Sequence, residues 1–130
     1  MTTPCRRLLV SLLAVITVAG GCGYDGPMMT VEELAAAIED PEKEIAVFDV
    51  RPRSQYGKGH VRGARNLPLA ELKNKTAELK AIDGEIAVIC NCGRNALAAA
   101  KQLADSGVSV ILVEGGYKKW SAAGFPLDKN

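Results

Sequence analysis

The residue best suited to chemistry in this sequence is Cys90, which ends an apolar run and precedes a short polar loop. The run 86–90 predicts a buried strand, and the alanine-rich segment 96–105 predicts a helix. A cysteine between a strand and a helix N-terminus lies near backbone N–H groups and the positive end of the helix dipole. Gly93 permits a tight loop around the sulfur, and Arg94 can place a cation near it. This pattern favours a thiolate, and it therefore indicates a nucleophilic cysteine.

Two alternatives to a single reactive cysteine remain open at this point. Cys90 could be a structural residue, because cysteine is often a fully buried small hydrophobe. Cys92 could instead act together with Cys90 as a thiol–disulfide pair, which suits an oxidising compartment. We prefer the interpretation that the Cys92 side chain points away, since a disulfide at this spacing is geometrically demanding. A metal site is not favoured, because the one histidine, His60, has a structural explanation.

The elements that must position Cys90 alternate between helix and strand. Thr30 and Glu33 form a capping box that predicts a helix start, and residues 45–48 predict a buried strand. Residues 51–65 predict a loop, residues 69–79 a helix and residues 108–113 the last strand. Such repeated units predict an α/β fold with a small open parallel sheet of four to five strands and helices on both faces. In these sheets, ligands bind beyond the carboxyl ends of the strands, where Cys90 lies.

The first 21 residues differ from the rest of the chain. They contain no acidic residue, and the adjacent Arg6 and Arg7 precede an apolar run over 8–19. This run is too short for a stable bilayer-spanning helix but suits the apolar region of a secretory signal. Small residues then precede Cys22, and this arrangement resembles a bacterial lipoprotein signal.

This resemblance predicts a signal peptide over 1–21, a tether over 22–28 and a folded domain over 29–130. It implies lipidation of Cys22, export from the cytoplasm, and anchoring to a bacterial membrane with the domain facing the periplasm or the cell exterior. Ordinary cleavage that leaves Cys22 as a thiol and an uncleaved signal anchor are the alternatives.

The overall composition excludes several functional classes. The 130 residues suit one domain, and 48% hydrophobic with 24% charged residues is typical of a globular protein. The net charge of +1 provides no basic excess, so we expect no nucleic-acid partner. Four cysteines are too few for a disulfide scaffold. We expect a monomer.

Five short motifs occur in the order in which one known family carries them. They are D-V-R at 49–51, Y-x-x-G-H-V-R-G-A at 56–64, N-L-P at 66–68, C-x-x-G at 90–93, and G-G-x-x-x-W-x-x-x-G-x-P at 115–126. Each motif alone is weak, but together they cover nearly the whole domain. The sequence therefore resembles a single-domain rhodanese, a thiosulfate sulfurtransferase.

The resemblance implies a function for each matched segment. Cys90 would be the catalytic nucleophile that takes a sulfane sulfur from a small donor anion and passes it to a thiol or cyanide acceptor, with no cofactor. Asp49 and Arg51 would form a supporting buried pair. The persulfide would be bound by the backbone amides of the following loop, which consists of Asn91, Cys92, Gly93, Arg94, Asn95 and Ala96.

The loop departs from the family pattern at its sixth position, where Asn95 replaces the usual arginine. This departure favours a second function, a thiol–disulfide or persulfide carrier that uses Cys90 and Cys92 with weak thiosulfate turnover. A catalytically silent binding module is a third function, which the retained Cys90 argues against. Rhodanese-fold phosphatases have a loop that is one residue longer and ends in arginine, so phosphatase activity is not expected.

Overall fold

The structure is a computed structural model that describes residues 24–91 and 94–129. Its centre is a five-stranded sheet in which all neighbouring strands are parallel, which confirms the predicted open parallel sheet. In spatial order the strands are β1 (Met28–Met29), β6 (Ile111–Val113), β5 (Glu85–Ile89), β2 (Ile45–Asp49) and β4 (Arg65–Asn66). A small antiparallel sheet pairs β3 (His60–Val61) with β7 (Leu127–Asp128).

Helices cover both faces of the central sheet, as the sequence predicts. The helical elements of the described residues are α1 (Val31–Glu39), α2 (Arg53–Lys58), a 3-10 helix (Leu69–Lys75), α3 (Thr76–Lys80), α4 (Arg94–Asp105) and α5 (Gly116–Ala122). The capping box at the start of α1 is confirmed, because the Glu33 amide donates to the Thr30 hydroxyl and the Thr30 amide to the Glu33 carboxylate. These reciprocal bonds satisfy amides that would otherwise have no partner at the helix start.

The core forms two clusters, one on each face of the sheet. Along β2, Val47 packs on the face covered by α1 and α5, while Phe48 packs on the face covered by α4 and α3. Successive side chains of a strand point to opposite faces, so continuous apolar strands are needed where both faces are buried. Burial on both faces therefore holds β2 and β5 in place, and the predicted site residues Asp49, Arg51 and Cys90 lie at the carboxyl ends of these two strands.

Three segments differ from their sequence predictions by more than one or two residues at their ends. The predicted loop 51–65 contains α2 and β3. The sequence pattern does not reveal α2, because this helix buries no residue and includes Gly57. The predicted helix 69–79 is a 3-10 helix that continues as α3, with the break where Lys75 leaves helical geometry. The predicted strand 108–113 pairs only from Ile111, where it joins Ala87 of β5, and the segment 108–110 before it forms no ladder pair.

Residues 24–28, which the sequence assigned to a tether, pack against the domain. The Tyr24 hydroxyl donates to the Val110 carbonyl, and the Pro27 carbonyl accepts from the Leu112 amide before Met28 enters β1. Burial raises the pKa of the Tyr24 hydroxyl above its ordinary value, so this group remains a donor. The folded domain therefore begins earlier than residue 29.

The signal segment and Cys22 lie outside the described residues. Among the residues that are described, no helix has the length and apolar composition that crossing a membrane requires.

Candidate active site

Cys90 lies at the carboxyl end of the central strand β5, in the position that the sequence predicts. The strand ends at Ile89, so Cys90 is the first residue after it, and only 2% of Cys90 is exposed. An open cleft of about 420 Å³ begins at this point. Its lining residues are Arg51, Pro52, Gln55, Cys90, Asn91, Arg94 and Asn95. The cleft thus brings together the predicted nucleophile and three of the six residues of its predicted loop, Asn91, Arg94 and Asn95.

The start of α5 holds the backbone at Cys90 in place. The Tyr117 amide donates to the Cys90 carbonyl at 2.6 Å, and the Lys118 amide donates to the Asn91 carbonyl at 3.0 Å. Gly116 permits this approach, because its φ is +62° and a Cβ there would lie 2.6 Å from the Asn91 carbonyl oxygen. Only glycine fits both the left-handed conformation and the close backbone contact.

Asp49 and Arg51 form the predicted pair, and both side chains are buried. The Asp49 carboxylate accepts from the Arg51 Nε at 3.0 Å and from its Nη2 at 2.8 Å. Nη2 also donates to the Gly59 carbonyl at 2.7 Å, and the guanidinium lies 4.0 Å from the centre of the Tyr117 ring. This pair links the end of β2 to the loop that leads into β3, and it places Arg51 in the wall of the cleft.

His60 has the structural role that the sequence analysis favours. Its Nδ1 donates to the Tyr56 carbonyl at 2.8 Å, and its ring stacks on that of Tyr56 at 3.7 Å. Only 2% of His60 is exposed, and it does not line the Cys90 cleft. His60 therefore stabilises the segment that connects β2 to β3.

The remaining predicted site residues divide into three groups. Arg94 and Asn95 are exposed in the first turn of α4 beside the cleft, whereas Ala96 is fully buried and does not line it. Cys92 and Gly93 lie outside the described residues, so their predicted roles stay predictions.

Sequence reasoning missed Tyr117, whose ring contacts Arg51 and whose amide binds Cys90. The glycine pair before it is the signal that could have revealed a close backbone approach at this point.

The family comparison decides the identity of the domain. Residues 30–123 match the family model for a rhodanese-like domain. The chain belongs to the rhodanese family. A solved structure of a rhodanese-related protein from Thermoplasma volcanium matches it with a TM-score of 0.71 and 29% identity, over 80% of this chain and 99% of that one. The observed fold of this chain is therefore a rhodanese fold.

Curated relatives of this rhodanese differ in size and name. The thiosulfate sulfurtransferase PspE of Escherichia coli is 37% identical over 55% of this chain and 69% of its own length. The HTH-type transcriptional regulator Rv0324 of Mycobacterium tuberculosis is 36% identical over 66% of this chain but only 38% of its own length. This chain therefore aligns with only part of that regulator. Among the relatives of this chain, those named as sulfurtransferases support sulfur transfer as its general chemistry.

Proposed function

We propose that this rhodanese is a sulfurtransferase that carries a sulfane sulfur as a persulfide on Cys90. The observation that carries the proposal is the placement of Cys90 at the carboxyl end of β5, in a cleft walled by Arg51 and by the start of α4. The helix N-terminus and nearby cations favour the anionic forms of the sulfur, both thiolate and persulfide. The proposed donor is thiosulfate, and the acceptor is a thiol or cyanide.

The proposed reaction has two displacement steps. The Cys90 thiolate attacks the outer sulfur of thiosulfate, an S–S bond forms, and the bond to the sulfonate sulfur breaks so that sulfite leaves with the electron pair. The acceptor nucleophile then attacks the outer sulfur of the persulfide, and Cys90 leaves as a thiolate. Cyanide as the acceptor gives thiocyanate, and the enzyme returns to its starting state without a change in net charge.

Intact mass spectrometry of the full-length protein tests this proposal. After incubation with thiosulfate, the mass should increase by one sulfur atom, and reductant should remove this increase. A loss of two hydrogens without a gain of sulfur would contradict the proposal and support the carrier function that uses Cys90 and Cys92 as a redox pair. The exposed Asn95 at the cleft, in place of the family's arginine, is the observation that favours this second function.

Asn95→Arg should raise kcat/KM for thiosulfate by about tenfold. A contact between a cation and the donor contributes on the order of 1.5–3 kcal/mol, and solvent at this exposed position reduces that gain. Steady-state assays with cyanide as the acceptor measure the change, and Asn95→Gln serves as the uncharged control. An unchanged or lower kcat/KM in Asn95→Arg would show that a cation at position 95 adds no contact to the donor, or that thiosulfate is not the donor.

We further propose that Cys22 is lipidated and that it anchors the domain to the membrane, facing the periplasm or the cell exterior. Small residues and a short apolar run before Cys22 support this localisation. Cys22→Ser should block lipid-dependent processing and move the protein out of the membrane fraction. Immunoblots of fractionated cells measure both effects. Normal processing with unchanged membrane association would refute the lipoprotein proposal.

A further inference from the structure

We propose that Arg51 binds the anionic end of the sulfur donor, and that Tyr117 positions its guanidinium for this contact. The inference rests on the proposed sulfurtransferase function and assigns a substrate contact to a residue of the β2 end. Arg51 lines the same cleft as Cys90, so a donor that occupies the cleft meets both residues.

The hydrogen bonds of the guanidinium leave one nitrogen for a ligand. Nε and Nη2 are bound to the Asp49 carboxylate, and Nη2 also donates to the Gly59 carbonyl. Nη1 has no hydrogen-bond partner among residues 24–91 and 94–129, and it is not among their fully enclosed polar atoms that lack a partner. Nη1 is therefore the guanidinium nitrogen that keeps accessible surface without a protein partner, and the proposal assigns it to the donor in the cleft.

The surroundings of Arg51 fix its orientation before a ligand arrives. Only 4% of the side chain is exposed, the carboxylate binds it in a two-nitrogen fork, and the central carbon of the guanidinium lies over the Tyr117 ring, 4.0 Å from its centre. A preorganised guanidinium loses little rotamer freedom when it binds an anion. Arg94, the other cation of the cleft, is exposed and must give up that freedom.

Tyr117 couples this cation to the nucleophile. Its ring contacts Arg51, while its amide donates to the carbonyl of Cys90. One residue therefore sets both the position of the guanidinium and the position of the backbone that carries the sulfur. This geometry suits a donor whose electrophilic atom is bonded directly to an anionic group, as the outer sulfur of thiosulfate is bonded to a sulfonate.

Alkylation of Cys90 tests the proposal without requiring sulfur transfer. Iodoacetate and iodoacetamide have the same reactive carbon, but only iodoacetate carries an anion next to it. The readout is the ratio of their second-order rates at Cys90 in the full-length protein, measured by fragmentation mass spectrometry of the peptide that contains Cys90. Because each variant is its own reference, a general change in cysteine reactivity cancels in the ratio.

Arg51→Lys keeps the charge but loses the planar fork, and Tyr117→Leu keeps the Asp49 pair but removes the ring. Both variants should lower the iodoacetate-to-iodoacetamide ratio by about fivefold or more and raise KM for thiosulfate more than they lower kcat. Tyr117→Phe is the control that retains the ring, and its iodoacetate-to-iodoacetamide ratio should stay within about twofold of the wild-type value.

Two results would overturn the inference about Arg51. One is an unchanged ratio in a folded Tyr117→Leu or Arg51→Lys protein, with folding checked by circular dichroism. The other is a fall in the ratio that occurs in Arg94→Gln but not in the Arg51 and Tyr117 variants, which would assign anion binding to Arg94. If the ratio responds as expected but wild-type protein transfers no sulfur, the anion site stands and the proposed sulfurtransferase function fails.

Discussion

Cys90→Ser is expected to abolish sulfur transfer, whereas Cys92→Ser is expected to keep most of it. Cys90 follows the central strand and lies in the cleft beside the start of α4, where, as proposed, the helix N-terminus would stabilise an anionic sulfur. Serine preserves the size of the side chain but has no sulfur with which to form a persulfide. In the preferred interpretation, Cys92 has no corresponding placement in the loop.

A single-turnover assay separates the two cysteines. Each variant is loaded with thiosulfate, the excess donor is removed, and transfer to cyanide or a small thiol is measured. Wild-type protein and Cys92→Ser should release thiocyanate in similar yield, and Cys90→Ser should release none above background. Equal loss in both variants would instead support a paired-cysteine mechanism, and retained transfer in Cys90→Ser would remove Cys90 as the nucleophile.

Gly116→Ala is expected to lower kcat/KM by about 10- to 100-fold, because a displacement of roughly 1 Å near reacting groups can cost on the order of 100-fold. The new Cβ would overlap the carbonyl oxygens of Cys90 and Asn91, which are backbone atoms that cannot rotate away. We also expect the free energy of unfolding to fall by about 2–4 kcal/mol, from the left-handed backbone strain together with the overlap. Steady-state kinetics and urea denaturation measure the two effects.

Gly124→Ala is the matched control for this substitution. Gly124 also has a positive φ, +79°, but a Cβ there meets no atom within 4 Å, and the residue does not line the cleft. The control should lose about 1–2 kcal/mol of stability from backbone strain alone and keep kcat/KM within about twofold. If both variants lose activity equally, the close contact of Gly116 with the Cys90 backbone is not what positions the nucleophile.

Local patterns in the sequence predict most of the central sheet. The apolar runs that become β2 and β5 are buried on both faces, and the capping box marks the start of α1 without reference to any distant residue. The short elements α2, β3 and β7 carry no such pattern. They form because the Asp49–Arg51 pair, the Tyr56–His60 stack and the closing pairing of β7 hold a polar segment in place.

The candidate site was predictable where it depends on position along the chain and not where it depends on contacts across the fold. Cys90 is identified by its place between a strand and a helix, and Asp49 and Arg51 are close in sequence. Tyr117 is 27 positions from Cys90, and only the folded structure shows that its ring and amide act at the cleft. The Cβ overlap at Gly116 also depends on a loop that is distant in sequence.

The contact between Tyr24 and Val110 determines how an anchored domain would face its surroundings. Tyr24 precedes β1, and Val110 precedes β6, so both lie at the amino edge of a parallel sheet whose carboxyl edge carries Cys90. Cys22 is two residues before Tyr24, a span of at most about 7 Å. A lipid on Cys22, as proposed, would hold the amino edge against the bilayer and turn the cleft toward the water. Sulfur donors and acceptors would then reach Cys90 from the aqueous phase, and substrates dissolved in the membrane would not.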